Sequence, residues 1–482
     1  MLTHAEINAR FVALDRDQRL MTETFDGWLA WPIVKERLWL ACLQAASGEA
    51  VRRHSIACRL WRVAAGIVEI VKHVAVPQRG QQGLLYEPRR TILPDGRVIH
   101  PHLGSRPYDG QPSFRCVYGP EGGVGDRQAV PDHEVGAVLA LLAGLVRRTT
   151  SIRQVAKRLR DAVADACPEL PRQALGTIIA DQLARFRLRT ALFRHLLRRA
   201  GVRSVVVLDP DSKVAEVAAA RSLNIPVIEV QHGMFSAQEP DYSWSATHRT
   251  LSVPLPLPDR IVVFGALWRD EILRAGYWRP DEVVQVKNPL IEAYRLARRE
   301  RNRCTKDAGI RVLFASQGYV RPAALPFWKE VLTRCRNQSD LRLDLRIKVH
   351  SLEESFRGEY EALARQFPGS CTVVPPSVDA FEELIRADLM VGYTSLMMLE
   401  ATGIGVPAIG LRGGAAAEGF AATFGLTMAA TGIEECASPS CFLRRLQDWR
   451  QNSQRAAVGD GHVVRSVYDH DGLDLETALS TF

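Results

Sequence analysis

The chain has 482 residues, of which 46% are hydrophobic and 24% charged, and its formal net charge is +8 at pH 7. This length predicts two or three domains, because a single hydrophobic core stops growing well below it. The composition excludes a disordered chain, and nine scattered cysteines fit neither a disulfide framework nor a zinc site. We therefore predict a folded protein with reduced thiols in the cytoplasm.

The first 200 residues are predicted to be mostly helical. Apolar residues recur at helical spacing over 25–46 and 56–76, and a third helical region at 133–200 is interrupted by two prolines. Between these regions, residues 84–86 predict a short strand that leads into a polar, turn-rich loop. Charged residues interrupt the stretch 56–76, which predicts a helix packed beside a core; a helix lying on a membrane surface is the alternative.

From residue 204 onward, strands and helices alternate, which predicts parallel sheets with helices on both faces. The first run has strands at 204–208, 227–230, 260–264 and 282–286, helices at 213–223 and 266–275, and a long loop at 233–258. The second run has strands at 310–314, 345–349, 371–374, 389–391 and 407–411, and helices at 323–336, 354–366, 379–386, 395–402 and 441–451. A charged run between them predicts a linker at 287–309 and domains at 1–286 and 310–482. The predicted fold class is α/β, with two Rossmann-like doubly wound domains facing a cleft and extra N-terminal helices.

Two predicted strands, one in each run, end in a histidine. Ligands of open parallel sheets bind at this carboxyl end. His232 follows the strand at 227–230, where it could bind a phosphate or transfer a proton, or belong only to a turn. Lys348 and His350 share one face of a strand. Ser351 and Glu354 fit a capping box at the start of the next helix, and helix N-termini favour anions.

Three further strand ends contain polar residues. Thr394 and Ser395 follow the strand at 389–391 and precede an apolar helix, so their hydroxyls could bind a phosphate or only cap the helix. Glu400, in that helix, could reach a sugar hydroxyl. Gln317 follows the first strand of the second run, in a turn that could approach a phosphate. Asp209 follows the strand at 204–208 and could act as a general base.

Together these segments resemble GT-B-type glycosyltransferases of the bacterial surface and capsular polysaccharide group, similar to CDP-glycerol-type transferases. The segments that carry the resemblance are 225–233 (the family's IPVIE-x-QHG strand), 264–268 (FG-x-x-W), 286–289 (V-G-N-P), 348–351 (K-x-H-P) and 392–401 (the serine- or threonine-serine phosphate motif and its helix). Residues 84–110 resemble the family's acceptor-side loop. Ser351 and Lys287 depart from the family's proline and glycine, but neither change removes a group able to bind phosphate.

The resemblance implies a donor nucleotide sugar, CMP-, CDP- or UDP-linked, that binds the second domain as a substrate, with no cofactor and no metal. It implies that the donor-phosphate side is formed by Lys348, His350, Thr394, Ser395, Glu400 and Gln317. The acceptor, a growing surface polysaccharide or glycolipid, is expected on the first domain, where a base removes the hydroxyl proton. The candidates for this base are Asp209, His232 and Glu87, which the sequence does not rank.

Two alternatives remain open at this stage. A nucleotide-sugar 2-epimerase has the same fold, although the long aromatic loop at 233–258 favours an extended acceptor. A non-catalytic protein that binds polyanions through the arginine-rich helix at 186–199 is the other alternative. Because no nucleic-acid-binding module is found, we do not expect a nucleic-acid partner. The charged N-terminus does not fit a signal peptide, so we expect a cytoplasmic protein, with peripheral contact at the inner face of the bacterial membrane left open.

Overall fold

A computed structural model of the protein describes residues 4–47, 82–86, 91–93, 96–100, 102–103, 113–117, 132–208, 210, 213–234, 236–302, 309–316, 320–337, 341–393, 395–412, 431–453, 467–468 and 470–480. Within these ranges the protein consists of two six-stranded parallel sheets and a layer of N-terminal helices. The helix predicted at 56–76 lies outside the described residues.

The N-terminal layer contains six helices and a two-stranded antiparallel hairpin within the described ranges. The helices are α1 His4–Leu14, α2 Gln18–Thr22, α3 Ala30–Ser47, α4 Asp132–Val146, α5 Thr150–Val163 and α6 Arg172–Ala200, and the hairpin strands are β1 Thr24–Phe25 and β2 Trp28–Leu29. In α5, Ile152, Val155 and Leu159 recur at helical spacing and are buried against the neighbouring helices. The predicted interruption is confirmed, because α5 ends before the two prolines and α6 begins directly after Pro171.

The first sheet contains six strands, and every neighbouring pair is parallel. Its region comprises β3 Gln82–Tyr86, the small hairpin β4 Thr91–Ile92 and β5 Val98–Ile99, β6 Ser113–Val117, β7 Val205–Val207, β8 Val227–Val230, β9 Arg260–Val263 and β10 Val283–Gln285, with helices α7 Val214–Arg221, α8 Ala246–Arg249 and α9 Ala266–Ala275. The strand order is β10-β9-β8-β7-β3-β6. Strand β6 was not predicted, because turn-forming residues flank its short apolar segment.

The second sheet is also parallel throughout and has the strand order β13-β12-β11-β14-β15-β16. Its region comprises helix α10 Pro289–Asn302, strands β11 Ile310–Ala315, β12 Leu343–Lys348, β13 Cys371–Val373, β14 Leu389–Gly392, β15 Ala408–Leu411 and β16 Glu434–Cys436, and helices α11 Arg321–Arg336, α12 Arg357–Gln366, α13 Ala380–Leu384, α14 Leu396–Ile404, α15 Pro439–Ser453 and α16 Leu475–Ser480. Numbered within this sheet, the order is 3-2-1-4-5-6, which is that of dinucleotide-binding Rossmann folds. The predicted fold class is confirmed by these two sheets. The unpredicted strand β16 is a short, charged edge strand.

Helix α10 occupies most of the predicted linker at 287–309. The side chain of Asn288 starts the helix by accepting hydrogen bonds from the backbone N–H groups of Leu290 (3.0 Å) and Ile291 (3.1 Å). Leu290, Ile291 and Tyr294 are buried in a core that also contains residues of both sheets. The division into domains at this point remains a proposal, and the segment itself is a packed helix.

The last described segment returns to the first sheet. The backbone N–H of Lys287 donates to the carbonyl of Leu473 (2.9 Å), and the indole of Trp268 donates to the carbonyl of Val467 (2.9 Å). Tyr468 and Leu475 are buried in the same core as strand β9. The C-terminal segment therefore connects the second sheet back to the first.

Candidate active site

The second sheet has a topological switch point between β11 and β14. These strands are hydrogen-bonded neighbours, with Val312 opposite Leu389 and Phe314 opposite Val391, yet the chain leaves them toward opposite edges of the sheet. Connections that diverge in this way leave a crevice at the carboxyl ends of the two strands, where ligands of such sheets bind. The candidate residues at the end of β12 and those after β14 therefore lie on either side of β11. The spacing of strands in a sheet places the two groups about 10 Å apart.

Ser316 joins the ends of β11 and β12. Its backbone N–H donates to the carbonyl of Lys348 (3.0 Å), and its hydroxyl oxygen accepts from the backbone N–H of His350 (2.9 Å). The residue is only 2% exposed. Sequence reasoning missed Ser316, although a small polar residue directly after a buried strand was a signal. Its neighbour Gln317 lies outside the described residues.

His350 lies at the edge of the crevice, and its side chain is exposed. Its carbonyl accepts from the backbone N–H of Glu353 (2.9 Å), in addition to the bond between its own N–H and Ser316. The backbone on both sides of the imidazole is thus fixed, which places this side chain reproducibly at the carboxyl end of β12. An imidazole in this position can donate to a phosphate or transfer a proton.

The ammonium group of Lys348 contacts the loop that follows β13. It donates to the carbonyls of Val378 (2.6 Å) and Pro375 (3.1 Å). Burial lowers the pKa of the ammonium, and the nearby Asp379 carboxylate partly offsets this effect. The structure therefore shows Lys348 fixing a loop of the crevice wall, and a direct bond to a ligand would require it to leave these carbonyls.

Ser395 and Glu400 belong to the helix that begins at the crevice. The hydroxyl of Ser395 accepts from the backbone N–H of Met397 (3.3 Å), which confirms the predicted N-cap of α14. Gly392 permits the strand end to approach this helix, since a Cβ there would lie 3.2 Å from the sulfur of Met398. Thr394 lies outside the described residues.

The carboxyl of Glu400 has an unusual pKa. Burial, with a smaller contribution from the negative charge of Asp379, raises the pKa of Glu400 to about 7. Asp379 caps α13, accepting from the backbone N–H of Phe381 (2.6 Å). Near neutral pH, Glu400 can therefore either donate or accept a proton, a property of groups used in proton transfer.

The α-helix after His350 starts later than predicted. Residues Ser351–Phe356 form a 3₁₀ helix, and α12 begins only at Arg357. The carboxylate of Glu354 pairs with the guanidinium of Arg357 (2.5 and 3.0 Å). The ion pair with Arg357 is thus the contact that the structure shows for Glu354, and the predicted capping box with Ser351 stays a prediction.

The first sheet has its own switch point, between β3 and β7. Leu85 pairs with Val207, while the chain continues from these strands toward opposite edges. Glu87 and Asp209 follow the two strands in the sequence, but both lie outside the described residues. The structure thus identifies the strand ends that precede two of the three candidate bases.

The third candidate, His232, lies in a turn fixed by its neighbour Gln231. The side chain of Gln231 donates to the carbonyl of Gly233 (2.8 Å) and accepts from the backbone N–H of Phe264 (2.8 Å). The backbone N–H of Gln231 donates to the carbonyl of Val262 (2.9 Å). Gln231 is buried, whereas the side chain of His232 is exposed at the carboxyl edge of β8.

The loop at 233–258 is fixed to the N-terminal helices through a buried ion pair. The ammonium of Lys35 donates to the carboxylate of Asp15 (2.8 Å), and the hydroxyl of Ser243 donates to the same carboxylate oxygen (2.5 Å). Lys35 also lies 3.8 Å from the ring centre of Trp244. Lys35 and Asp15 are 1% and 2% exposed, so this network joins α3 to the loop within the core.

Burial of the loop's aromatic residues corrects one part of the interpretation from sequence. Tyr242 and Trp244 are 6% and 2% exposed, and the hydroxyl of Tyr242 donates to the buried carboxylate of Glu229 (2.7 Å). Phe235 lies outside the described residues. These two rings pack in the core and do not form a surface for an extended acceptor.

Three further observations concern the described ranges alone. None of their helices is long and apolar enough to cross a membrane. No group of three or more His, Cys, Asp or Glu side chains in these ranges could hold a metal ion. Six cysteines are free thiols: Cys42, Cys167, Cys335, Cys371, Cys436 and Cys441.

No protein-family model and no curated protein matches the chain. Solved structures similar to it include UDP-GlcNAc 2-epimerase from Methanocaldococcus jannaschii (15% identity, 55% of this chain and 74% of that chain, TM-score 0.39). UDP-GlcNAc 2-epimerase from Neisseria meningitidis bound to UDP-GlcNAc is also similar, with 12% identity over 59% of this chain and 76% of that chain and a TM-score of 0.38. MurG from Acinetobacter baumannii is similar with 16% identity over 61% of this chain and 77% of that chain and a TM-score of 0.39. The fold class rests on the strand orders of the two sheets.

Proposed function

We propose that the protein is a glycosyltransferase that moves a sugar from a CMP-, CDP- or UDP-linked donor to a growing surface polysaccharide or glycolipid. The observation that carries this proposal is the switch point of the second sheet. Its strand order is that of nucleotide-binding Rossmann folds, and its crevice is bordered by His350 and by the capped N-terminus of α14.

On this proposal the donor phosphate binds between His350 and Ser395. Both are fixed at the carboxyl edge, and the N-terminus of α14 adds a partial positive charge. Thr394 and Gln317 are proposed to complete the phosphate site. Stabilising the charge on the departing phosphate is the main contribution to the rate that such a site can make. Lys348 is assigned to the same site through the loop that its ammonium group fixes.

The acceptor is proposed to bind at the carboxyl edge of the first sheet. The three candidate bases follow three consecutive strands of that sheet: Glu87 follows β3, Asp209 follows β7, and His232 follows β8. A hydroxyl bound at this edge would lie within reach of a base from one of these strands. The base removes the hydroxyl proton as the oxygen attacks the donor sugar.

A nucleotide-sugar 2-epimerase is the second candidate, and Glu400 is the observation that favours it. A carboxyl with a pKa of about 7 in α14, the helix that begins at the crevice, could exchange a proton with a sugar carbon near neutral pH. The two functions differ in a simple observable. An epimerase incorporates solvent deuterium into the sugar in the absence of any acceptor. A transferase releases the nucleotide only when the sugar is transferred to an acceptor or, slowly, to water.

The proposal is tested with a panel of CMP-, CDP-, UDP- and GDP-sugars. We expect one nucleotide class to raise the unfolding temperature, since a ligand that binds only the folded state stabilises it. We also expect nucleotide release to increase when a glycan or glycolipid acceptor is added. If no member of the panel stabilises the protein or is consumed, both enzymatic functions are wrong.

A further inference from the structure

A groove of about 540 Å³ lies between α3, α6 and the first turn of α7. Four arginines line it: Arg37, Arg147, Arg185 and Arg189. Its walls also contain apolar side chains, among them Leu40 and Phe186. The lining also includes the carboxylates Glu36 and Asp181. Guanidinium groups beside apolar side chains fit an anionic group attached to an apolar body.

Two of the four arginines are fixed by carboxylates, and two are not. The guanidinium of Arg185 pairs with Asp181 (2.7 Å), and that of Arg189 donates to the buried Glu216 (3.0 Å). Arg37 and Arg147 form no ion pair with another described residue. The guanidinium fork of each matches the oxygens of a phosphate.

The lining of the groove includes the start of the helix that follows β7. Val214 and Ala215, which begin α7, form part of its lining. Helix α7 follows β7, so its N-terminus faces the carboxyl edge at which the acceptor is proposed to bind. The positive end of the helix dipole adds to the attraction for an anion.

An exposed apolar face lies next to Arg147. Leu141, Leu142 and Leu145 of α4 are 61%, 41% and 67% exposed, and their spacing places them on one side of the helix. Arg147 follows directly after the end of α4. We call these three residues the leucine face. Leucines beside arginines are typical of surfaces that lie on anionic membranes, where the leucines enter the apolar layer and the arginines contact phosphates.

We infer that the arginine groove and the leucine face together bind a phosphate-bearing lipid headgroup at a membrane surface. The leucine face enters the acyl layer while Arg37 and Arg147 bind the phosphate. This inference rests on the proposed function, because it assigns a lipid-linked anion to the acceptor side of the cleft. It concerns a surface that is separate from the donor crevice of the second sheet.

The test is flotation of the full chain with vesicles of phosphatidylcholine, alone or mixed with phosphatidylglycerol. We expect binding only to the mixed vesicles, and weaker binding at high salt. The double variant Arg37→Ala/Arg147→Ala should bind about twenty-five-fold more weakly, since each arginine near an anionic surface contributes about fivefold. The matched control Arg342→Ala/Arg365→Ala removes the same charge from exposed positions in the second half of the chain and should bind like the wild type.

A second variant keeps the test decisive if the arginine variant does not fold. Leu141→Ser/Leu145→Ser changes only exposed side chains, and we expect it to lose binding to mixed vesicles. The inference is wrong if the wild type binds both vesicle types equally, or if either double variant binds like the control. It is also wrong if inorganic pyrophosphate binds the groove while phosphatidylglycerol vesicles do not. Donor nucleotide affinity, measured on the same variants, should not change, so a failure here is distinguishable from a failure of the proposed function.

Discussion

In the second sheet, the loops at the carboxyl edge are fixed by groups of that sheet's own connections, whereas in the first sheet the corresponding loop is fixed by a separate layer of helices. Ser316 and Lys348 bond to backbone groups of neighbouring strand ends and loops. The loop after β8 instead reaches Asp15 and Lys35, more than 200 residues earlier in the chain. A change in the N-terminal helices can therefore alter the loop at the carboxyl edge of the first sheet while the loops of the second sheet remain intact.

This difference fits the two proposed roles. A nucleotide phosphate is the same small group in every donor, and a short, locally bonded crevice is sufficient for it. An acceptor varies more in size and attachment, and the helical layer supplies both the anchor of the loop and the arginine groove. Substitutions that disturb one edge at a time test this difference.

The substitution Lys35→Met should destabilise the protein most. It leaves the carboxylate of Asp15 buried without its cation, which costs about 3–5 kcal/mol. We expect chemical denaturation to show a loss of this size, and we expect the remaining folded protein to lose acceptor transfer while it retains nucleotide affinity. The control Arg334→Met breaks the exposed pair with Glu330 and should cost less than about 1 kcal/mol. Equal losses in the two variants would show that the loop is not fixed by the buried pair.

The substitution Gly403→Ala should disturb the second edge. A Cβ at this position would lie 2.6 Å from the ring of Tyr468 and 2.9 Å from the side chain of Ile291, so α14 would have to shift. Overpacking of this kind costs about 2 kcal/mol, and nucleotide affinity should fall with it. The control Gly358→Ala adds a methyl in α12 with no heavy atom within 4 Å, so we expect equal or slightly higher stability there. A neutral effect of Gly403→Ala would mean that α14 is not confined by these contacts.

The substitution Glu400→Gln should change how stability depends on pH. The pKa of this carboxyl is raised to about 7 in the folded protein, so between pH 4.5 and 7 the folded state retains a proton that the unfolded state releases. The resulting stabilisation is complete below pH 4.5 and is lost as the pH rises through 7, a change of about 3 kcal/mol. The glutamine variant should lack this decline in urea denaturation series. Parallel curves for the variant and the wild type would contradict the raised pKa.

Elements with strong local signals were predicted well from the sequence. Strand β8 and helix α9 have their predicted bounds, because the first is a short run of β-branched residues with one glutamate and the second ends at a glycine. The N-cap at Ser395 was predicted for the same reason, since a serine before an apolar helix is a local signal.

Features that depend on distant contacts could not be predicted. The central place of β3 requires pairing with β7, more than 100 residues later. The burial of Trp244 depends on Lys35, and the position of the Lys348 ammonium depends on carbonyls about 30 residues away. Four candidate residues, Glu87, Asp209, Gln317 and Thr394, lie outside the described residues, so their roles stay predictions.

The central claim is that the switch point of the second sheet binds the donor nucleotide, and the affinities of CMP, CDP, UDP and GDP measured by calorimetry test it most directly. For the nucleotide that binds the wild type, we predict an affinity at least tenfold lower in His350→Ala, since a hydrogen bond to a charged phosphate contributes about 1.5–3 kcal/mol. The control His195→Ala removes an exposed imidazole from α6 and should bind like the wild type. Equal affinity in His350→Ala and His195→Ala would contradict the claim.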